Sequence, residues 1–318
     1  MNEMLIFFKN LKGNPKLILM IDPLFTVPFN MFTPFATLYM FALGLSDFEI
    51  GILISISMFA NFIMALLGGI VVDKFGRRKS LLLGDFLAWN IPVLLWAFSQ
   101  NFWWFLAATL FNSIQHIATV SFECNWLDDI EEHKMQKLVN LFFFLFYGSI
   151  LFALVSGYFV LQYSVVPVLR VVYLFAFASM GTRLLILFFR LKETKRGQER
   201  LVATKGKSIL FLLSGYKDVF FLLTRSRDML KVLILMPMVS IFTVISNTFF
   251  ALYTTQNLGL GEYFIAYFPV IRAVVVLLFF AFIQSRLDRY NRLNLMCIGL
   301  LLYVLGHTLL LLSPPENI

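Results

Sequence analysis

Hydrophobic stretches of about twenty residues alternate with short polar segments along almost the whole chain. A bilayer core of about 30 Å is crossed by roughly 20 apolar residues in a helix, because each residue advances about 1.5 Å. The pattern therefore predicts an all-α integral membrane protein with nine transmembrane helices, at Pro23–Leu43, Glu49–Val72, Ser80–Phe98, Phe102–Cys124, Leu138–Leu161, Val165–Phe189, Met229–Thr255, Tyr263–Ser285 and Leu293–Leu312.

The longest polar segment, at 191–228, follows six predicted spans and precedes three. It divides the chain into an N-terminal six-helix bundle at 1–190, a cytoplasmic linker, and a partial C-terminal bundle of three helices at 229–318. Within the linker, Ser208–Thr224 has the pattern of an amphipathic helix at the membrane surface. Such a helix either anchors the linker or serves a regulatory role.

Basic residues occupy only one of the two alternating sets of loops. Of 26 lysines and arginines, all except Arg170, Arg183 and Arg272 lie in or beside this set. The other set contains no basic residue and comprises 44–48, 99–101, 162–164 and 256–262. By the positive-inside rule, the N-terminus is predicted to be cytoplasmic, in a multi-pass protein of the cell (plasma) membrane.

The composition is typical of a protein in a lipid environment. Charged residues make up 14% of the chain, against about 25% in soluble domains, and the mean hydropathy is +0.83. The net charge of +8 arises from the membrane loops, so it does not indicate nucleic-acid binding. The two cysteines, Cys124 and Cys297, lie far apart and in no metal-ligand spacing, and we expect no metal or cofactor.

The loop between the second and third spans contains the strongest motif. Residues 69–79 read G-I-V-V-D-K-F-G-R-R-K, which resembles the G-x-x-x-D-(R/K)-x-G-R-R-(R/K) signature of the major facilitator superfamily. In this loop Gly76 permits a tight turn, and Gly69 permits close helix approach. The segment 288–292, D-R-Y-N-R, is similar to residues 73–77 and pairs span eight with span two as parallel repeats.

The resemblance implies a secondary transporter in which two six-helix bundles alternate around a central cavity. Spans ten to twelve are absent, so we expect a fragment, an early stop or a degenerate copy. Two motifs of some relatives, an arginine motif in span four and a glycine–proline motif in span five, are also absent, which weakens drug export by proton antiport. The predicted conformational gate comprises Gly69, Asp73, Gly76, Arg77, Arg78, Glu123 and Asp288.

Polar residues at helical spacing mark faces of spans one, four and seven, the spans that the resemblance places around the cavity. Such stripes either line a cavity or form hydrogen bonds between packed helices. Arg272 is separate, because it lies too deep in span eight to reach either membrane surface and is therefore expected to bind an anion or a carboxylate. The predicted substrate-binding set is Thr26, Asn30, Asn112, Gln115, His116, Thr119, Thr243, Asn247 and Arg272.

Other titratable residues in or beside the predicted spans have structural interpretations, and two of them also have a proton-transfer alternative. Asp22 before Pro23 is typical of a helix N-cap, with proton coupling as the alternative. Asp85 and Arg183 lie at similar depth and are predicted to pair structurally. His116 either relays a proton or is a hydrogen-bonded packing residue. Glu123, Asp128 and Asp129 lie near one mouth, where they can meet Arg77 and Arg78.

The sequence thus favours transport of a small organic solute through the lipid bilayer by alternating access. A proton or sodium ion is the expected coupling partner. The alternative is a non-transporting remnant or membrane scaffold, because a half-site lacking three spans cannot close. No enzyme motif is present, so we expect no enzymatic activity.

Overall fold

The computed structural model describes residues 2–282 and 292–312, and every regular element in them is helical. We number the α-helices in chain order. They are α1 (Asn2–Asn10), α2 (Gly13–Ile21), α3 (Pro23–Phe32), α4 (Ala36–Ala42), α5 (Asp47–Phe75), α6 (Arg77–Asp85), α7 (Ile91–Ala97), α8 (Phe102–Asn112), α9 (Gln115–Leu127), α10 (Glu132–Ser149), α11 (Ala153–Tyr163), α12 (Val165–Arg190), α13 (Lys195–Ala203), α14 (Ile209–Ser214), α15 (Tyr216–Arg225), α16 (Arg227–Leu252), α17 (Tyr267–Phe282) and α18 (Arg292–Leu311).

Several of these helices are consecutive pieces of one membrane span. Short 3₁₀ or π segments join consecutive helices at Thr33–Phe35, Phe86–Asn90 and Ile150–Phe152, whereas Tyr253–Asn257 extends the end of α16 and Glu262–Ala266 precedes α17. Seven helical stretches of the described chain are long and apolar enough to cross a membrane: Gly13–Ala42, Asp47–Phe75, Arg77–Ala97, Glu132–Tyr163, Val165–Arg190, Met229–Asn257 and Glu262–Phe279. Predicted span four is interrupted at residues 113–114 between α8 and α9, so the count of nine stays a prediction.

The first span begins ten residues earlier than predicted. Its helical stretch starts at Gly13 rather than Pro23. Asp22 has helical angles, with φ −58° and ψ −34°, and its side chain caps no backbone N–H, so the N-cap prediction is wrong. Proline has a fixed φ that suits a helix, and the chain continues through Asp22–Pro23, where the Asp22 carbonyl accepts from the N–H groups of Phe25 and Thr26.

The second span is a single helix with defined ends. Ser46 and Glu49 form a capping box at its start, in which the Ser46 N–H donates to Glu49 Oε2 at 2.9 Å. Its end is set by Gly76, whose φ of 91° is rarely adopted by other residues. The reversal at Gly76 leads directly into α6, so the residue 69–79 motif lies at the turn between two spans.

The linker contains three helices where the sequence predicted one. Thr194 caps α13, because its Oγ1 accepts a hydrogen bond from Gly197 N at 2.9 Å. The predicted amphipathic helix at Ser208–Thr224 is present as α14 and α15, separated at Gly215. Helices α13 and α14 both pack on α5, so the linker lies against the N-terminal helices rather than apart from them.

Two hydrophobic cores hold the helices together. The first joins both halves of the chain, since Phe35, Leu38 and Val160 pack in the same cluster as Ile265 and Ala266. These residues lie near the loops that contain no basic residue. The second core lies toward the basic loops and is formed by residues from the N-terminal helices alone, among them Ile18, Leu81, Trp126, Leu138 and Leu187. The two halves are therefore packed together at the end away from the basic loops.

The predicted pairing of Asp85 with Arg183 is confirmed. Arg183 Nη1 donates a hydrogen bond to Asp85 Oδ2 between α6 and α12. Both side chains are buried inside the bundle. At this depth, removal of either side chain would leave the other charge buried without its partner, which is strongly destabilising.

Candidate functional site

The turn at Gly76 presents a helix N-terminus to an acidic side chain of the linker. The backbone N–H groups of Arg77 and Arg78 donate to the two carboxylate oxygens of Glu193, at 2.8 and 3.1 Å. The first N–H groups of a helix have no partner within the helix and carry partial positive charge. Glu193 therefore satisfies the start of α6 from 116 positions away along the chain.

Arg77 is the centre of the charged contacts in this loop. Its Nη1 donates to Asp73 Oδ1 at 2.6 Å, one helical turn earlier, and its Nε donates to Asp128 Oδ2 at 3.0 Å. The Arg77 carbonyl in turn accepts from Asn125 Nδ2 at 2.9 Å and from Ser121 Oγ. Arg77 is buried, so α5, α6 and α9 are joined through one side chain and one carbonyl.

The linker adds a second set of contacts to the same place. Thr194 Oγ1 donates to Asp128 Oδ2 at 3.0 Å, and the Lys195 N–H donates to Asp129 Oδ1 at 3.2 Å. Thr204 Oγ1 donates to the Asp73 carbonyl at 3.2 Å. We call Asp73, Arg77, Asp128, Glu193 and Thr194 the loop cluster. It fastens the linker to the turn between the second and third spans.

The other predicted gate residues differ in whether they make contacts near the loop cluster. Arg78 Nη2 donates to the Phe188 carbonyl at 2.6 Å, and a Cβ on Gly69 would lie 3.2 Å from Tyr216 Oη. Glu123 is exposed and makes no hydrogen bond or ion pair with the described residues. Asp288 lies outside the described residues. Of the three acidic residues near this mouth, Asp128 and Asp129 thus make the contacts.

Tyr216 of the linker lies near the Asp73 carboxylate of the loop cluster, which affects its pKa. Partial burial, and then the nearby Asp73 carboxylate, raise the pKa of the Tyr216 phenol. Both effects have the same sign because each disfavours the phenolate. Tyr216 of α15 therefore lies close enough to Asp73 for the carboxylate to affect its pKa.

Sequence reasoning did not single out Glu193 and Thr194. Thr194 has one local signal, since a threonine before a helical segment is a common N-cap. Glu193 has none, because its partners lie on a distant loop. Charge alone does not separate Asp128 from its acidic neighbours, and its position directly after the end of α9 makes it the partner of Arg77.

The predicted solute-binding residues of span one are buried in the bundle. Asn30 Nδ2 donates to Ser149 Oγ at 2.8 Å and to the Thr26 carbonyl at 2.9 Å, and Thr26 Oγ1 donates to the Asp22 carbonyl at 3.2 Å. The side chain of Asn30 thus holds α3 to the end of α10. Their place in a solute site stays a prediction.

In span four, the polar face forms a network between neighbouring helices. Asn112 Nδ2 donates to the Ala88 carbonyl at 2.8 Å, and Gln115 Nε2 lies 3.5 Å from Asn61 Oδ1. His116 is half-buried and Thr119 is exposed. The break between α8 and α9 lies between Asn112 and Gln115, so the predicted stripe is divided between two helices.

The predicted residues of the C-terminal half do not meet those of the N-terminal half. Thr243 Oγ1 donates to the Val239 carbonyl of its own helix at 2.8 Å, and Asn247 is exposed. Arg272 is exposed on α17, between the exposed Ile271 and Val275. It makes no hydrogen bond or ion pair with any residue that the structure describes.

A groove of about 410 Å³ lies between α6 and α12, away from all predicted solute-binding residues. It is lined by Lys79 and the apolar residues Leu82, Leu83, Phe86, Leu184, Leu185 and Phe188. Within the described parts of the chain, no three His, Cys, Asp or Glu side chains lie close enough to bind a metal ion.

A comparison with known families agrees with the motif. The profile described as Major Facilitator Superfamily matches residues 24–317, which is nearly the full chain. A search of curated proteins finds no match.

Proposed function

Because the chain belongs to the major facilitator superfamily, we propose that it carries a small organic solute across a membrane by alternating access. The family consists of multi-pass membrane transporters of small solutes, and members are generally not enzymes. Residues 1–190 and 229–318 would be the two moving bodies, with 191–228 as the connection. The basic loops support a cytoplasmic N-terminus, and the plasma membrane is the proposed location.

The loop cluster is the observation that supports this mechanism best. It joins the motif turn, the end of α9 and the linker through the buried Arg77 and partly buried carboxylates. At the opposite end, one hydrophobic core contains residues from both halves. A protein that alternates must be able to close at either end, and the shared core supports closure at the apolar end, while the loop cluster fastens the charged end to the linker.

Arg272 is the residue that we assign to the solute or to a coupling carboxylate. A cation in the interior of a span is costly and is kept where it has a function. Its exposed position on α17 leaves it available to an anionic group. Thr26, Asn30, Asn112, Gln115, His116, Thr119, Thr243 and Asn247 remain the proposed polar contacts of the solute, and a proton or sodium ion remains the proposed coupling ion.

Alternating access can be tested without a known solute. Spin labels at Phe75→Cys and Leu233→Cys, in a protein whose Cys124 and Cys297 are replaced by alanine, report the separation of α5 and α16. Both labelled positions are exposed. In lipid vesicles we expect two distance populations, whose ratio changes when the loop cluster is weakened by Asp128→Asn. A single distance that no variant changes would count against two moving halves.

The role of Arg272 is tested by uptake. Vesicles containing the protein are incubated with a mixture of small organic anions, cations and zwitterions, and the retained solutes are identified by mass spectrometry. Arg272→Ala is expected to lower retention of an anionic solute about tenfold, the equivalent of about 1.4 kcal/mol. Arg190→Ala, an exposed arginine at the end of α12, is the control that should retain uptake. Equal uptake by both variants would exclude Arg272 from the site.

A further inference from the structure

A second group of charges lies inside the N-terminal bundle, apart from the loop cluster. Arg183 is bonded to Asp85, and its Nη2 is also 3.8 Å from Asp22 Oδ1. The three side chains come from different spans, and the exposed fractions are 5% for Arg183, 10% for Asp85 and 3% for Asp22. The site lies about 12 Å from Arg77 along α6, at about 1.5 Å per residue.

The surroundings of this triad are apolar. The Arg183 guanidinium lies 5.2 Å from the centre of the Phe25 ring and 5.5 Å from that of Phe122. Asp22 Oδ2 is buried and has no hydrogen-bond partner among the described residues. Asp85 and Arg183 are the charged groups that act on Asp22, whereas α9 contributes the Phe122 ring.

We propose that Asp22, Asp85 and Arg183 form a proton-binding site that holds one exchangeable proton on Asp22. With both carboxylates ionised, the triad would carry a net negative charge in an apolar interior. A buried charge without a partner is strongly disfavoured, and two carboxylates that share one site retain a proton between them. Arg183 bonds directly to Asp85, so the proton belongs on the unpartnered Oδ2 of Asp22.

A metal cation would not replace this proton. The Arg183 guanidinium contacts both carboxylates, so its positive charge would repel a sodium ion bound to them. Binding forms one O–H bond at Asp22 and breaks none within the protein. Release to water leaves Asp22 ionised and draws its carboxylate toward Arg183 Nη2.

The proton is connected to the predicted solute residues through α3. The Asp22 carbonyl accepts from Thr26, and the Thr26 carbonyl accepts from Asn30. A backbone shift of Asp22 toward α12 on proton release would therefore carry both residues with it. Coupling of this proton to solute movement rests on the proposed transport function. The presence of one proton at the site does not depend on that function.

The proton can be detected by infrared spectroscopy of the protein in lipid vesicles at neutral pH. A protonated carboxylic acid gives a C=O band that a carboxylate does not give. Aspartate labelled with ¹³C at its carboxyl carbon shifts this band and identifies it as aspartic acid without any substitution. We expect one such band in the natural protein. It should disappear in Asp22→Asn and also in Asp85→Asn, because the remaining carboxylate then pairs with Arg183 alone.

Two further variants complete this experiment. Arg183→Gln is expected to add a second band, because neither carboxylate then has a cation. Asp47→Asn, at an exposed position, should leave the band unchanged. Circular dichroism checks that each variant is folded. If a variant does not fold, the labelled natural protein alone still shows whether a protonated aspartic acid is present. Absence of an aspartic-acid band in the natural protein, or its persistence in both asparagine variants, would overturn the site.

The spin-label pair separates the proton from transport. Raising the pH should change the ratio of the two distances in the natural protein but not in Asp22→Asn. An unchanged ratio with the infrared band present would overturn the coupling of this proton to movement. Failure to find any transported solute, with the band behaving as expected, would count against the proposed function and leave the proton site in place.

Discussion

At the residue scale, Arg77 shows how one buried side chain joins three helices. Its guanidinium binds Asp73 and Asp128, while its carbonyl accepts from Asn125 on α9. A buried charge is tolerated only when its hydrogen-bonding groups are satisfied. The helices around the motif therefore depend on the individual partners of Arg77.

Replacing Asp128 by asparagine should lower stability measurably. The substitution keeps the shape of the side chain but removes a charged, buried acceptor from Arg77 and Thr194. Hydrogen bonds to charged groups are worth about 2 kcal/mol. We expect a lower midpoint of thermal unfolding in detergent for Asp128→Asn.

Asp129→Asn is the matched control for this experiment. Asp129 is exposed and accepts only the Lys195 N–H, which an asparagine Oδ1 can still accept. Its unfolding midpoint should stay within about a degree of the natural protein, since surface changes cost little. Equal shifts of the unfolding midpoint in the two variants would show that the Arg77–Asp128 pair does not stabilise the protein more than a surface contact does.

At the element scale, α13 docks on the motif because a glycine lies where the two approach. A Cβ on Gly197 would lie 2.9 Å from Arg77 Cδ and would collide with the Glu193 carboxylate. Space rather than backbone angle favours glycine here, because an added Cβ would displace the Glu193 carboxylate from the Arg77 and Arg78 N–H groups. The start of α13 and the start of α6 are closely fitted at this residue.

We predict that Gly197→Ala loosens the linker. Overpacking costs about 1–3 kcal/mol. Each 1.4 kcal/mol lost from docking raises the fraction of undocked linker about tenfold. Trypsin should then cleave at the exposed Lys195, Arg196 and Arg200 about ten times faster. Cleavage rates are followed by gel electrophoresis of protein in lipid vesicles.

Gly215→Ala provides the comparison. Gly215 has a helical φ of −64°, and the nearest atom to an added Cβ is the Leu212 carbonyl oxygen, at 3.4 Å. Alanine is tolerated or favoured at such a position. Cleavage of this variant should be no faster than that of the natural protein. If Gly197→Ala is cleaved no faster than Gly215→Ala, the close fit at Gly197 does not hold the linker.

At the scale of the whole molecule, the two halves meet where the loops carry no basic residue. Gly157 of α11 lies against the segment Glu262–Ala266, and a Cβ there would be 2.8 Å from Ala266 Cβ and 3.2 Å from the Tyr263 carbonyl oxygen. This contact lies in the core shared by both halves. Side-chain volume at one position thus controls how closely the halves approach.

Gly157→Ala should separate the halves at this end. The added methyl group has no space, so we expect a loss of about 1–3 kcal/mol and a shift of the spin-label distances toward the alternative population. Gly148→Ala is the control, because nothing lies within 4 Å of its added Cβ. Alanine in that helix should be neutral or stabilising. Identical behaviour of the two variants would contradict a close approach at Gly157.

The sequence by itself determined the features that depend on local pattern. Runs of apolar residues define the membrane helices, and the motif at 69–79 identifies the family and places a reversal at Gly76. The pairing of Asp85 with Arg183 also followed, because depth in a span can be counted from its ends. These inferences need only residue spacing and the thickness of a bilayer.

Only the tertiary structure decided which distant groups meet. Glu193 reaches the start of α6 across 116 positions, and Asp22 points to Arg183 instead of capping its own helix. Spacing along one helix cannot reveal such partners, because each depends on how separate helices pack. Burial then selects among them, since a charged or polar group inside the bundle must find its partner there rather than in water.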